Sequence, residues 1–262
     1  ALLIGSSGLD AAREDECIRR FKAAGAAALI VNPAIRGRRS AELEAWIQAH
    51  RPLVLEGHPG AWILPADLAA RSDQVDLDNR GGIRLSIEHL RSRGHTRLAY
   101  FTSGSPSRSE RLAAFEELAA GTGTGAWVLT DLPDSREGGR QALQRILAAR
   151  PEDRPSAAIC AGSEQIALGL VAGLRQAGLR CPEDLSVVCF GDNRVSDDPA
   201  GSAELTSLEF SQEELTRTLL NLLREQMSGE RRPPRHVRLP MELRVRSSSG
   251  PTSSTIAIGG TP

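Results

Sequence analysis

Residues 156–193 read SAAICAGSEQIALGLVAGLRQAGLRCPEDLSVVCFGDN, and this stretch decides the fold class. Two short strand-like runs, SAAICAG (156–162) and LSVVCFGDN (185–193), flank a longer run (163–178) whose apolar residues recur at helical spacing. Short apolar runs are typical of strands that are buried on both faces, and an amphipathic helix is the usual crossover between parallel strands. The stretch therefore predicts a strand–helix–strand unit of a parallel sheet.

The same alternation of short apolar runs and longer amphipathic runs repeats along most of the chain. Further strand-like runs lie at 1–5, 27–33, 52–57, 74–79, 97–103, 126–131 and 205–210, and helix-like runs lie at 11–25, 40–50, 81–94, 111–121, 136–150 and 211–229. A Pro-interrupted segment after residue 230 has the composition of an edge strand. This order predicts an α/β fold with doubly wound parallel sheets.

The overall composition excludes several classes of protein. The chain has 262 residues, 40% of them hydrophobic, and its 32 basic and 33 acidic residues leave a net charge of −1. A chain with so balanced a charge has no electrostatic drive of its own towards a polyanion. No apolar run approaches the roughly 18 residues of a membrane-spanning helix, and no signal peptide pattern is present. We therefore expect a cytoplasmic protein without a membrane segment.

The common catalytic and metal-binding motifs are also missing. The sequence contains no G-x-S-x-G, H-E-x-x-H or G-x-x-x-x-G-K motif. The five histidines do not have the spacing of metal ligands. We therefore expect that the protein is not an enzyme and that it has no catalytic residues, no metal site and no cofactor.

Polar side chains nevertheless collect at the ends of the predicted strands, where open parallel sheets bind their ligands. They are Asn32, Glu56, Asp78, Asn79, Ser103, Asp131, Ser163, Glu164, Asp192 and Asn193. Arg111 follows the loop after residue 103 and adds a planar guanidinium, which is able to hold two oxygen atoms at once. Each polar residue taken alone could also be an ordinary helix N-cap. Together they predict a binding site for a hydroxyl-rich small molecule.

Several longer stretches resemble the effector-binding region of LacI/GalR-family transcription regulators. They are VDLDNRGGIRLSIEHLRSRGHTRLAYFTSGSPSRSERLAAF (75–115), AAICAGSEQIALGLVAGLRQAGLRCPEDLSVVCFGDN (157–193), LTSLEFSQEELTRTLLNLL (205–223) and RHVRLPMELRVRSS (235–248). The landmarks of the family follow one another here in order and at the expected intervals, over roughly residues 1–248.

The resemblance implies two α/β lobes of the periplasmic-binding-protein-like type I fold, with a ligand cleft between them. It places residues 1–102 plus 209–229 in the N-terminal lobe and residues 103–208 plus 230–248 in the C-terminal lobe. Residues 249–262 form a tail, in which 254–260 could supply an extra strand where the family has its first one.

The resemblance also implies the site and the partners. Arg111 matches the arginine of the family that contacts the effector, Ser163 and Glu164 stand at its Asn–Asp pair, and Gly191 aligns with its ligand-binding aspartate, one residue before Asp192. We expect a sugar-like or other polar effector, a homodimer, and contact with operator DNA only through an N-terminal helix-turn-helix outside these residues. The alternative is a transport-linked solute-binding protein of the same fold.

Overall fold

The structure is a computed structural model that describes residues 2–8, 10–35, 37–57, 62–103, 109–120, 127–191, 205–229 and 232–252. The helices are α1 (Ala11–Ala23), α2 (Ala41–Gln48), α3 (Ala66–Ala69), α4 (Asn79–Ser92), α5 (Ser109–Ala120), α6 (Arg136–Ala148), α7 (Glu164–Gln176) and α8 (Gln212–Met227). The strands are β1 (Leu29–Val31), β2 (Leu53–Glu56), β3 (Asp73–Leu77), β4 (Leu98–Phe101), β5 (Trp127–Leu129), β6 (Ala157–Cys160), β7 (Ser186–Phe190), β8 (Thr206–Glu209), β9 (His236–Leu239) and β10 (Glu242–Arg244).

The chain divides into two compact units. The first unit comprises Ala1–Asp78 and Phe210–Pro240, and the second comprises Asn79–Glu209 and Met241–Pro262. The prediction of an α/β fold with parallel sheets is confirmed, because each unit contains a largely parallel sheet with helical crossovers.

The first unit is built on a four-stranded sheet with the order β1–β2–β3–β9, in which all neighbours are parallel. Successive residues of β2 point to opposite faces, as the pleat requires. Leu53 and Leu55 pack with Trp46 of α2, whereas Val54 packs with Leu222 of α8. The sheet is therefore covered by helices on both faces, and its carboxyl edge is left for polar residues.

The second unit has a six-stranded sheet with the order β10–β8–β7–β6–β4–β5, in which only β10 runs antiparallel to its neighbour. Residues of β4, β6 and β7 share a core with α6 and α7. These two helices approach closely at glycines: a Cβ on Gly139 would lie 2.1 Å from the carbonyl oxygen of Ile166, and one on Gly169 would lie 1.9 Å from that of Arg136. Because α7 starts directly after Ser163, this packing fixes the position of the β6–α7 turn.

The boundaries of the units differ from the predicted lobes at two of three places. The chain passes from one unit to the other after Asp78, Glu209 and Pro240, whereas the sequence predicted passages near residues 103, 208 and 229. Strand β4 belongs to the second unit because it hydrogen-bonds to β5 and β6. Strand β9 belongs to the first unit because it pairs with β3.

Two predicted strands also take a different form. Residues 2–7 form no strand, and Leu2 and Ile4 are 85% and 86% exposed, because this run has no neighbouring strand among the described residues. The single edge strand expected after residue 230 is two strands, β9 and β10, which join different sheets on either side of Pro240. The extra strand predicted at 254–260 lies outside the described residues.

Within the described ranges, no helix combines the length and the apolar character that crossing a membrane requires.

Candidate functional site

Arg111 is held at the carboxyl edge of the six-stranded sheet by contacts from three parts of the second unit. Its Nε donates to Oδ1 of Asn79 at 2.7 Å, and its Nη1 donates to the carbonyl oxygen of Ala161 at 3.0 Å. Its guanidinium carbon lies 4.1 Å from the centre of the Phe190 ring, which is within the range of a cation–π contact. The guanidinium is thus oriented by a helix start, a strand end and an aromatic ring.

Asn79 orients this arginine and is itself fixed. It is the first residue of α4 and is only 4% exposed. Its Nδ2 donates to Oε2 of Glu110 at 3.0 Å, so that its Oδ1 faces the arginine. A buried amide whose donor and acceptor are both used specifies a single arrangement of its neighbours.

Ser103 and Ser163 follow two adjacent strands, β4 and β6, and so lie at the same edge. The turn after β6 approaches the end of β4 at Gly162, where an added Cβ would lie 3.1 Å from the backbone nitrogen of Ser103. Ser163 is the N-cap residue of α7 but makes no side-chain capping bond, and its Oγ is buried without a partner in the described part of the chain. A buried hydroxyl without a partner costs free energy, and in a native protein it calls for an explanation such as a ligand.

Glu164 begins α7 and lies against the end of β7. A Cβ added to Gly191 would lie 2.7 Å from Oε2 of Glu164, so the carboxylate would have to shift if this residue carried a side chain. Gly191 also has a φ of +110°, which disfavours other residues. The glycine that aligns with the family's ligand-binding aspartate therefore makes space for Glu164, which places a carboxylate at the same strand end.

In the first unit, Asn32 directly follows β1 and Glu56 is the last residue of β2. The two side chains contact each other. Nδ2 of Asn32 donates to Oε2 of Glu56 at 2.7 Å. Burial raises the pKa of the Glu56 carboxyl, the hydrogen bond from Asn32 opposes that shift, and the charge of Asp76 adds to it. This pair offers amide and carboxylate groups at the carboxyl edge of the four-stranded sheet.

The structure thus brings the predicted residues together in two groups. Arg111, Ser103, Ser163 and Glu164 gather at the carboxyl edge of the second unit's sheet, and Asn32 and Glu56 gather at that of the first. Asp192 and Asn193 lie outside the described residues. The role of all these residues in ligand binding stays a prediction.

Two groups of the site were not predicted from the sequence, whereas Asn79 was already among the polar residues expected at the strand ends. The carbonyl oxygen of Ala161 belongs to the backbone and has no signal in the sequence. Phe190 reads as a core residue at the end of an apolar run, and only the fold places its ring against Arg111.

The described residues include no group of three or more His, Cys, Asp and Glu side chains that could hold a metal ion. The polar groups at the two edges are a guanidinium, carboxylates, an amide and hydroxyls, and all of them are able to form hydrogen bonds. Such groups are suited to fix the hydroxyl groups of a polar ligand.

Comparison with known proteins places the chain in a family. The model of the periplasmic binding protein-like domain matches residues 87–249. The chain is 31% identical over 198 residues to the HTH-type transcriptional repressor MelR of Bacillus subtilis, with 70% of the chain and 55% of the relative covered. It is 30% identical to the HTH-type transcriptional regulator CelR of Thermobifida fusca, with 66% and 51% covered. The chain spans about half the length of these curated relatives.

Solved structures show the same fold. A LacI family transcriptional regulator from Bifidobacterium animalis subsp. lactis superposes with a TM-score of 0.75 at 24% identity, covering 93% of this chain and 86% of that one. A LacI family transcriptional regulator from Enterococcus faecium with bound ribose superposes with a TM-score of 0.70 at 21% identity, covering 91% and 83%. At these identities the likeness establishes the fold alone.

Proposed function

Because the chain belongs to the LacI family of transcription regulators, as an effector-binding domain of the periplasmic binding protein-like type, we propose that it senses a small hydroxyl-rich molecule and thereby controls binding of the regulator to DNA. The relatives are transcription regulators rather than enzymes. The observation that carries the proposal is that the carboxyl edge of the six-stranded sheet holds the oriented guanidinium of Arg111 and the Ser163 hydroxyl, which has no partner among the described residues.

A sugar fits these groups better than an apolar ligand does. The guanidinium is a donor only, Glu164 is an acceptor when ionised, and the Ser163 hydroxyl is able to act as either. Adjacent hydroxyl groups of a sugar supply both kinds of partner within one small molecule. Ribose is bound in the Enterococcus faecium neighbour, and this supports a monosaccharide as the first ligand to test.

Control of DNA binding follows from linkage. An effector shifts an equilibrium between two conformations only by the ratio of its affinities for them. If DNA favours one conformation and the effector the other, each weakens the binding of the other by the same factor. The proposed regulator therefore needs no catalytic group, and hydrogen bonds that form fully in only one conformation suffice.

The first test is a thermal-shift screen of this chain against monosaccharides, beginning with ribose, followed by calorimetry. A true ligand at 100 times its Kd stabilises the folded chain by about 2.7 kcal/mol. Arg111→Gln removes a charged donor, and hydrogen bonds to charged groups contribute about 1.5–3 kcal/mol each, so we expect affinity to fall by roughly tenfold to a hundredfold. The matched control is Arg140→Gln, because Arg140 is exposed on α6 and pairs with Glu137.

Ser163→Ala separates ligand binding from folding. The hydroxyl has no partner in the described structure, so its removal is expected to leave the free energy of unfolding unchanged or slightly higher. Affinity for the sugar is expected to fall by about tenfold, since the ligand loses one buried hydrogen bond. Equal affinities in Arg111→Gln, Ser163→Ala and the control would refute the assignment of this site.

A further inference from the structure

A cavity of about 640 Å³ lies in the first unit, and none of the residues assigned above is among those that line it. Its walls include Leu53 and Asp73, which are the first residues of β2 and β3. The cavity is therefore at the amino edge of the four-stranded sheet, whereas Asn32 and Glu56 are at the carboxyl edge. Its volume is within the range of small-molecule pockets, about 300–1,000 Å³.

The acidic residue in the cavity wall is fully used by its neighbours. Oδ1 of Asp73 accepts from Nη1 of Arg232 at 2.7 Å and from the backbone nitrogen of Arg235 at 2.8 Å. Its Oδ2 accepts from Nη2 of Arg232 at 2.5 Å and from Nε2 of Gln226 at 2.7 Å. These bonds hold the pKa of Asp73 below its usual value against the effect of burial. The carboxylate therefore supports the wall and has little capacity left to accept from a ligand.

Gln226 completes this wall from α8. Its Oε1 accepts from the backbone nitrogen of Leu53 at 2.7 Å, and its Nε2 also donates to the carbonyl oxygen of Leu53 at 2.9 Å. One amide thus joins the end of α8 to the starts of β2 and β3. The wall is formed before any ligand arrives, which lowers the entropy cost of binding.

Two further arginines of the cavity have no carboxylate partner among the described residues. The guanidinium of Arg51 lies 3.5 Å from the centre of the Trp46 ring and donates to the carbonyl oxygen of Ala26 at 2.6 Å. These contacts hold the group in place and use one of its five N–H donors. The side chain of Arg71 makes no hydrogen bond or ion pair within the described ranges and is exposed at the cavity.

The balance of charge at the cavity is positive. Its lining carries Arg51, Arg71 and Arg232 against Asp73, which leaves two positive charges when His50 is neutral. Helices α2 and α8 end beside the cavity, and each helix C-terminus is equivalent to about half a negative charge. The two helix ends therefore offset about half of the excess, and about one positive charge remains for a ligand.

We infer that this cavity binds a small organic phosphate, with Arg51 and Arg71 contacting the phosphate oxygens. Arginine forks match the geometry of phosphate oxygens, and charge-assisted bonds of this kind are about twice as strong as neutral ones. The cavity is larger than a phosphate group, so it also has room for the organic part of such a molecule. The cavity shares no residue with the proposed sugar site, and within the first unit it lies at the edge of the sheet opposite to Asn32 and Glu56.

The experiment is a calorimetric titration of this chain with inorganic phosphate at constant ionic strength, and with succinate as a dicarboxylate of similar charge. We expect saturable binding of phosphate, weaker binding of succinate, and about a tenfold loss of phosphate affinity in Arg71→Gln. Arg71 is exposed and without a partner in the described structure, so this variant is expected to fold normally. The matched control is Arg19→Gln, which changes the charge equally on α1, outside the cavity.

Three results would overturn the inference. The first is the absence of saturable phosphate binding up to about 10 mM, a range that covers millimolar affinity. The second is equal phosphate affinity in Arg71→Gln and Arg19→Gln, which would mean that the net charge of the chain alone accounts for phosphate binding. The third is binding of succinate as tight as that of phosphate. Arg111→Gln is expected to retain phosphate binding, so failure of the sugar site and failure of this site give different results.

Discussion

Replacing Gly169 by alanine tests the packing that positions the β6–α7 turn. A Cβ at this position would lie 1.9 Å from the carbonyl oxygen of Arg136 and 2.6 Å from its carbonyl carbon, and both atoms belong to the backbone of α6. The first distance is about 1.5 Å short of ordinary contact, which begins at 3.4 Å. A backbone carbonyl has no rotamer that avoids the clash, so α6 and α7 must separate.

The size of the effect follows from two opposing contributions. Overpacking of a well-packed core costs about 1–3 kcal/mol and sometimes more, and a clash with backbone belongs to the upper end of that range. Replacing glycine by alanine inside a helix contributes about 1 kcal/mol in the other direction. We therefore expect a net loss of about 2 kcal/mol in the free energy of unfolding.

Gly173→Ala is the matched control on the same helix. Its Cβ would lie 3.0 Å from Cδ2 of Leu143, the flexible end of a side chain, so we expect a change between zero and a gain of about 1 kcal/mol. Urea unfolding followed by circular dichroism measures both variants. In Gly169→Ala the turn that carries Ser163 also shifts, so sugar affinity is expected to fall. Equal stability of the two variants would refute the close approach of α6 and α7.

Two further predictions concern buried polar groups. Burial and nearby positive charge lower the pKa of His89 from 6.5 to about 4, while the unfolded chain takes up the proton near 6.5. This contribution to stability should be complete above pH 6.5 and should fall by about 1–2 kcal/mol as the pH drops towards 4, since solvent screens the half-buried ring. Urea unfolding at several pH values checks this, and a His89→Gln variant with the same pH slope would contradict it. Asp73→Ala leaves Arg232 with Glu225 as its carboxylate partner and removes the hydrogen bonds that Asp73 accepts, so it should cost about 2–3 kcal/mol. A loss below 1 kcal/mol, measured in the same way at about neutral pH, would show that the pair is not buried in solution.

Much of the fold was predictable from local pattern. The period of apolar residues depends on whether a segment is a strand or a helix, and it therefore reports the type of each element without knowledge of its neighbours. The strands from β1 to β8 overlap the predicted runs, with β3 starting one residue early at Asp73, and the α/β class with parallel sheets is confirmed. The run 1–5 was predicted to be a strand because of its apolar residues. Residues 2–5 form no strand, because no other strand lies beside them among the described residues.

The candidate site likewise combines features that the sequence predicted with features that only the tertiary structure decided. The sequence by itself determined that Arg111, Ser163, Glu164, Asn32 and Glu56 follow or precede strands, and parallel strands bring such positions to one edge. Only the tertiary structure decided that Asn79, Ala161 and Phe190 orient Arg111, and that Arg51 and Arg71 meet at a cavity on the opposite edge of the first sheet. The physical reason is that secondary structure follows from interactions over a few residues, whereas these contacts join segments dozens of residues apart and depend on how the helices and strands pack.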